Sequence, residues 1–178
     1  MRLAYTMTEG KGALDPLLHD LARRAMDAGL RVAGIVQVNS DSPGCARCDM
    51  DAIVLPDGPV IRISQSLGPN ARGCRLDAAG LEAAVAAAEA RLAAGADLLV
   101  VNKFGKQEAG GRGFRPVIAT ALAEGVDVIV GVNTLNMQAL LDFAGGIAVQ
   151  LPPDAERLAR WLPARDPAVG RAPLGRAL

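Results

Sequence analysis

The sequence predicts an α/β fold of three layers, a mostly parallel sheet between helices with a β-hairpin inserted, and three observations carry that prediction. Short apolar runs rich in Val and Leu alternate with stretches of helical spacing, the order that builds a parallel sheet. The run that opens Asp97–Phe114 (D-L-L-V-V-N-K-F-G-K-Q-E-A-G-G-R-G-F) is apolar at consecutive positions, as a strand buried on both faces is. Between Ala52–Leu55 and Val60–Ser64 stands Pro56-Asp57-Gly58-Pro59, whose turn chemistry reads as a hairpin tip.

The elements follow in order. Arg2–Thr6 is the first strand. Asp15-Pro16 supplies a helix start, with Asp as N-cap and Pro as first helical residue. Leu17, Leu18, Leu21, Ala22, Ala25 and Met26 then recur at helical spacing over Leu17–Ala28, and Gly29 is a natural stop. Leu30–Val38 is the second strand. Asn39–Asp51 has no periodicity and reads as loop, the hairpin follows, and Ser66–Cys74 is loop again, so about 39–75 is an insertion on the parallel core. Leu76-Asp77 opens an alanine-rich helix, Ala78–Ala94, closed by Gly95; it suits a close-packed core or a subunit contact in a homo-oligomer. After the central strand and its loop come a helix over Arg115–Glu124, a strand Val126–Val132, a helix about Leu135–Phe143, a strand Gly146–Leu151 and a helix Asp154–Leu162, packed on the sheet through Leu158, Trp161 and Leu162. Residues 1–162 form a single domain. The stretch 163–178 is rich in Pro, Gly and Arg without apolar periodicity and reads as a flexible tail.

Composition narrows the function. With 51% hydrophobic but only 3% aromatic residues, the core of this 178-residue chain is built from Ala, Val, Leu and Ile. Lys+Arg and Asp+Glu are each 19, a net charge of zero, which argues against a general nucleic-acid or membrane-surface binder and leaves room for a local cluster that binds a small anion. No apolar run approaches the roughly 20 residues of a membrane helix, and the start M-R-L-A-Y-T-M-T-E-G lacks the apolar region of a signal peptide. A cytoplasmic protein without membrane insertion is expected. An odd count of 3 cysteines fits a reducing compartment better than a disulfide scaffold.

Ligands of open α/β sheets sit beyond the carboxyl ends of the strands, and two loops there carry the chemistry. One follows the first strand and holds Thr8, Glu9, Gly10, Lys11 and Gly12. The other follows the central strand and holds Asn102, Lys103, Lys106, Glu108 and Arg112 among glycines. The two loops are expected to face one anionic ligand, with Lys11, Lys103, Lys106 and Arg112 supplying charge and the amides of Gly10–Gly12 supplying direction. Cys45 and Cys48 form C-x-x-C, with Cys74 later in the chain. Three thiolates fall short of a full tetrahedral zinc set, so a metal site needs Asp49, Asp51 or a second subunit; the other reading is reduced thiols. His19, the sole histidine, reads as a surface or interhelical residue rather than a catalyst, and no Ser-His-Asp arrangement or G-x-S-x-G is present.

Gly10 and Lys11 match the G-x-x-x-x-G-K-[ST] phosphate loop, while Tyr5 and Gly12 depart from it. V-V-N-K-F-G-K-Q-E, Val100–Glu108, resembles the hydrophobic strand and D-E-x-G-x-x-E of the thermophilic nucleoside-triphosphatase-like P-loop family, and G-V-D-V-I-V-G-V-N looks like that family's next strand. Gly105 and Glu108 match; Asn102 stands in place of the metal-orienting Asp and Lys103 in place of the water-activating Glu. More of the chain, to about Leu151, resembles a bacterial family of unknown function whose genes often lie near molybdate-transport genes, through A-G-L-R-V-A-G-I-V-Q, G-C-R-L-D and N-K-F-G-K-x-E-A-x-G-R-G.

These resemblances imply a P-loop NTPase-like fold and a nucleotide or a molybdate- or tungstate-like oxyanion as ligand. The departures shift the site's formal charge by roughly three units toward positive, which disfavours Mg²⁺. The expected function is therefore binding of a nucleotide or small oxyanion through a degenerate phosphate loop, without Mg²⁺-dependent hydrolysis. A slow nucleoside triphosphatase or phosphotransferase is the first alternative, with Thr6, Thr8, Glu9 or Glu108 supplying metal-side groups, and a cysteine-based metal-binding protein is the second. Pro16 disfavours helix at Asp15, so residues 8–14 are expected to form a mobile flap.

Overall fold

Consecutive β-branched and leucine residues favour extended backbone and leave no polar face, so the segments that carry them take the centre of the sheet. The computed structural model describes residues 1–9, 12–40, 49–65 and 75–164. Its strands are β1 (Leu3–Thr6), β2 (Val32–Ser40), β3 (Asp49–Val54), β4 (Val60–Arg62), β5 (Leu98–Phe104), β6 (Asp127–Val132) and β7 (Ala148–Gln150). They form one sheet in the order β4-β3-β2-β5-β6-β1-β7. From β2 to β7 every pairing is parallel, and β3 and β4 extend the sheet antiparallel beyond β2.

The helices are α1 (Leu14–Asp27), α2 (Ala78–Ala93), α3 (Lys106–Ala109), α4 (Arg115–Ala123), α5 (Thr134–Ala144) and α6 (Ala155–Trp161). Leu14, Leu18 and Leu21 of α1 and Leu158 of α6 pack on Ala4, Val100 and Ile129. Leu81, Ala84 and Ala88 of α2, Val117 and Ile118 of α4, and Leu140 of α5 pack on the opposite face, against Leu99, Val101 and Val128. The three-layer α/β architecture thus follows from the alternation of elements, and the alanine-rich helix serves the core. Trp161 lies 4.6 Å from the Arg2 guanidinium, which also bonds Asp127 at the start of β6.

Three local expectations need correction. Asp15 is not an N-cap: α1 starts at Leu14, Ala13 holds the cap position without a side-chain bond, and Asp15 lies inside the first turn. Pro16 is tolerated because first-turn N–H groups have no helical acceptor anyway. Leu14 is accordingly helical and 5% exposed, so it belongs to no flap. Second, Asn39–Asp51 is not loop throughout, since β2 runs to Ser40 and Asp49–Asp51 pair with Val38–Ser40. Third, the glycine-rich stretch after β5 contains the one-turn helix α3.

Candidate functional site

β1 and β5 both run parallel to β6 between them, so their C-terminal ends open at one edge of the sheet. Two strand spacings separate them, about 10 Å. The chain leaving β1 reaches α1 through Gly12, whose φ of +82° is a conformation glycine adopts readily.

At this edge the structure places a buried carboxylate. Asp15 is 3% exposed. Its Oδ1 accepts from Asn102 Nδ2 at 2.9 Å and lies 3.8 Å from Lys103 Nζ. Its Oδ2 accepts from Asn39 Nδ2 at 2.6 Å and faces Gln37 Nε2 at 3.5 Å. Asn102 in turn accepts from the Gln37 backbone N–H at 3.0 Å. One side chain thus ties the first turn of α1 to the ends of β2 and β5, satisfying the rule that a buried charge needs partners.

A register irregularity in β5 accompanies this arrangement. Val101 pairs with Val130 and Phe104 with Val132, so β5 spends one more residue than β6 over this span. Val101 and Phe104, three positions apart, consequently pack in the same cluster, and Asn102 and Lys103 between them both reach Asp15.

The other expected site residues are spread more widely. Glu108 is 3% exposed and directs both carboxylate oxygens at backbone amides, accepting from Gly105 at 2.8 Å and from Phe114 at 3.0 Å. It therefore caps α3 and ties the loop to the start of α4. Lys106 is exposed at the first position of α3. Arg112 lines an open groove of about 650 Å³ between α2 and the α3–α4 loop, with Glu82, Glu89, Val85 and Val117. Thr8 is half-buried and Glu9 and Gly12 are exposed after β1. Gly10, Lys11, Cys45, Cys48 and Cys74 lie outside the described residues.

Asp15, Asn102 and Glu108, three donors that Mg²⁺ could use, are engaged within the protein. Asn102 is neutral and gives its amide to Asp15, Asp15 is enclosed by amides, and Glu108 holds backbone N–H groups. Thr6 Oγ1 is fully buried, and among the described residues it is the buried side-chain polar atom without a partner. Among the described residues no group of three His, Cys, Asp or Glu side chains is placed to hold a metal ion. Among the described residues the side chains at this edge do not fit a divalent metal. Asp15, missed as a site residue by the helix-start reading, also takes back one unit of the charge counted from Asn102 and Lys103.

The sheet order and the helices on both of its faces define a three-layer α/β protein with a P-loop NTPase-like fold. Residues 3–161 match the family described as "Protein of unknown function (DUF2478)", and the chain belongs to that family. It is 42% identical over 161 residues, 90% of its length, to the molybdenum import ATP-binding protein ModC 2 of Bradyrhizobium diazoefficiens, and spans only 18% of that relative. Two solved structures share the fold. THEP1 from Aquifex aeolicus superposes with a TM-score of 0.62 at 15% identity, over 88% of this chain and 91% of that one. A human cancer-related nucleoside triphosphatase superposes with a TM-score of 0.54 at 18% identity, over 90% and 93%. Among the described residues no helix is long and apolar enough to cross a membrane.

Proposed function

We propose that the chain binds a nucleotide or a small tetrahedral oxyanion at the edge where β1, β5 and β6 end, and does so without a divalent metal. The observation that carries this reading is Lys103: an ammonium at the tip of β5, beside the first turn of α1, where the resembled nucleoside-triphosphatase family has a water-activating carboxylate. An amide at Asn102 and a cation at Lys103 favour negative charge in the ligand and disfavour Mg²⁺. Lys11 would add a second cation from the β1 loop. Two likenesses support these ligand classes: one relative is named a molybdenum import ATP-binding protein, and one protein of the same fold is named a nucleoside triphosphatase. Because the chain spans 18% of the ModC-named relative, its proposed role is that of an accessory anion-binding module, not of the whole importer.

Calorimetric titration with ATP, ADP, phosphate and molybdate, in Mg²⁺ and in EDTA, tests the proposal. Binding that survives EDTA, with no phosphate released from ATP, is expected. Lys103→Gln should weaken it about tenfold, the scale of one lost hydrogen bond to a charged group. Tight ATP binding that requires Mg²⁺, or turnover that does, would contradict the reading.

A further inference from the structure

We propose that Asp15 is the built-in counter-anion of this site: a buried carboxylate that holds the Lys103 ammonium in the unliganded protein and yields it to an arriving anion. The inference rests on the anion-binding function proposed above. At 3% exposure Asp15 is enclosed, so it acts on the ligand through Lys103 and is a positioning residue.

Its contacts divide into tight and loose. Asn39 at 2.6 Å and Asn102 at 2.9 Å hold one oxygen each, and both are neutral donors. Lys103 stands at 3.8 Å, beyond hydrogen-bonding distance, and its side chain is 43% exposed. When the ammonium swings outward, the amides of Asn39 and Asn102 still solvate the carboxylate, so departure of Lys103 does not strand a bare buried charge. Ligand and Asp15 therefore compete for one cation. Relieving that competition strengthens ligand binding, the opposite of what loss of a structural brace would do.

The test is Asp15→Asn in the full chain, titrated with ADP in EDTA beside Lys103→Gln and the double variant. Asp15→Asn should bind ADP up to about fivefold more tightly, the ceiling for a half-exposed ion pair. In the Lys103→Gln background the same change should have a smaller effect, since only the direct repulsion between Asp15 and the ligand is then relieved. Weaker or unchanged binding by Asp15→Asn, or an equal effect with and without Lys103, overturns the proposal while leaving the anion site standing; absence of ADP binding by the wild-type chain overturns both. Should Asp15→Asn fail to fold, the ¹³Cε resonance of Lys103 in wild-type protein, assigned by its loss in Lys103→Gln, decides the matter. It should move on ADP saturation, and an unmoved resonance refutes the exchange of partners.

Discussion

Glu108 offers the sharpest separation between a carboxylate that serves a ligand and one that serves the fold. Its two oxygens accept from the Gly105 and Phe114 N–H groups, and Phe114 is 1% exposed. Glu108→Ala leaves the Phe114 amide without its acceptor where water does not reach, a penalty of about 1–3 kcal/mol. Gly105 is only half-buried, so its amide recovers part of its bonding from solvent and the loss there is nearer 1 kcal/mol. The sum is about 3 kcal/mol, a large share of the roughly 5–15 kcal/mol that holds a domain together. Glu108→Gln keeps one carbonyl oxygen but turns an NH₂ toward the other N–H, for a loss of about 2 kcal/mol. Equilibrium urea unfolding followed by circular dichroism measures both, and the midpoint should fall at constant slope. A Glu108→Gln protein with wild-type stability and impaired ligand binding would refute the reasoning, because only a solvent-facing carboxylate behaves that way.

Other perturbations probe the frame around the site. Gly34 adopts φ +111° in β2, and a Cβ there would collide with the Val100 carbonyl oxygen of β5, so Gly34→Ala should lose about 3 kcal/mol in urea unfolding; a loss below about 1 kcal/mol would argue against this register. Thr6→Val removes a fully buried hydroxyl that has no partner among the described residues and should leave stability unchanged or raise it by about 1 kcal/mol, whereas a clear loss would mean the hydroxyl is bonded. The hydrogen bond from Arg23, together with Arg24, holds the Asp20 carboxyl below its usual value of 3.8. A depressed folded-state pKa contributes stability above the unfolded value that is lost as pH falls through the folded one, so Asp20→Asn should flatten the decline of stability below pH 4 or so. An identical acid limb in wild type and variant would remove that contribution.

How far such a site is legible in sequence depends on whether its signal is local. Pro56-Asp57-Gly58-Pro59 announces the hairpin because turn chemistry resides in four neighbouring residues, and the Gly58 N–H does close on Val54 at 2.8 Å. The apolar runs announce the parallel strands for the same reason. Asp15 shows where local rules stop. An aspartate before proline satisfies every helix-start rule, yet its conformation is settled by Asn39, 24 residues away, and Asn102, 87 away. A non-local signal was nevertheless present: Gln37, Asn39 and Asn102 are amides ending otherwise apolar strands, and polar groups in such places demand a partner. The extra residue between Val101 and Phe104 left no comparable trace, since a bulge changes pairing without changing composition. Glu108 is the instructive middle case. Gly105 has no side chain to complete a capping box, so only the backbone half forms, with Glu108 accepting from the Gly105 N–H, and the sequence marks that bond merely as an acid three residues after a glycine. A buried acid in the first turn of a helix therefore has to be assigned by the donors that enclose it. In this chain those donors are amides for Asp15 and Glu108 alike, and at Asp15 a lysine stands close enough to leave.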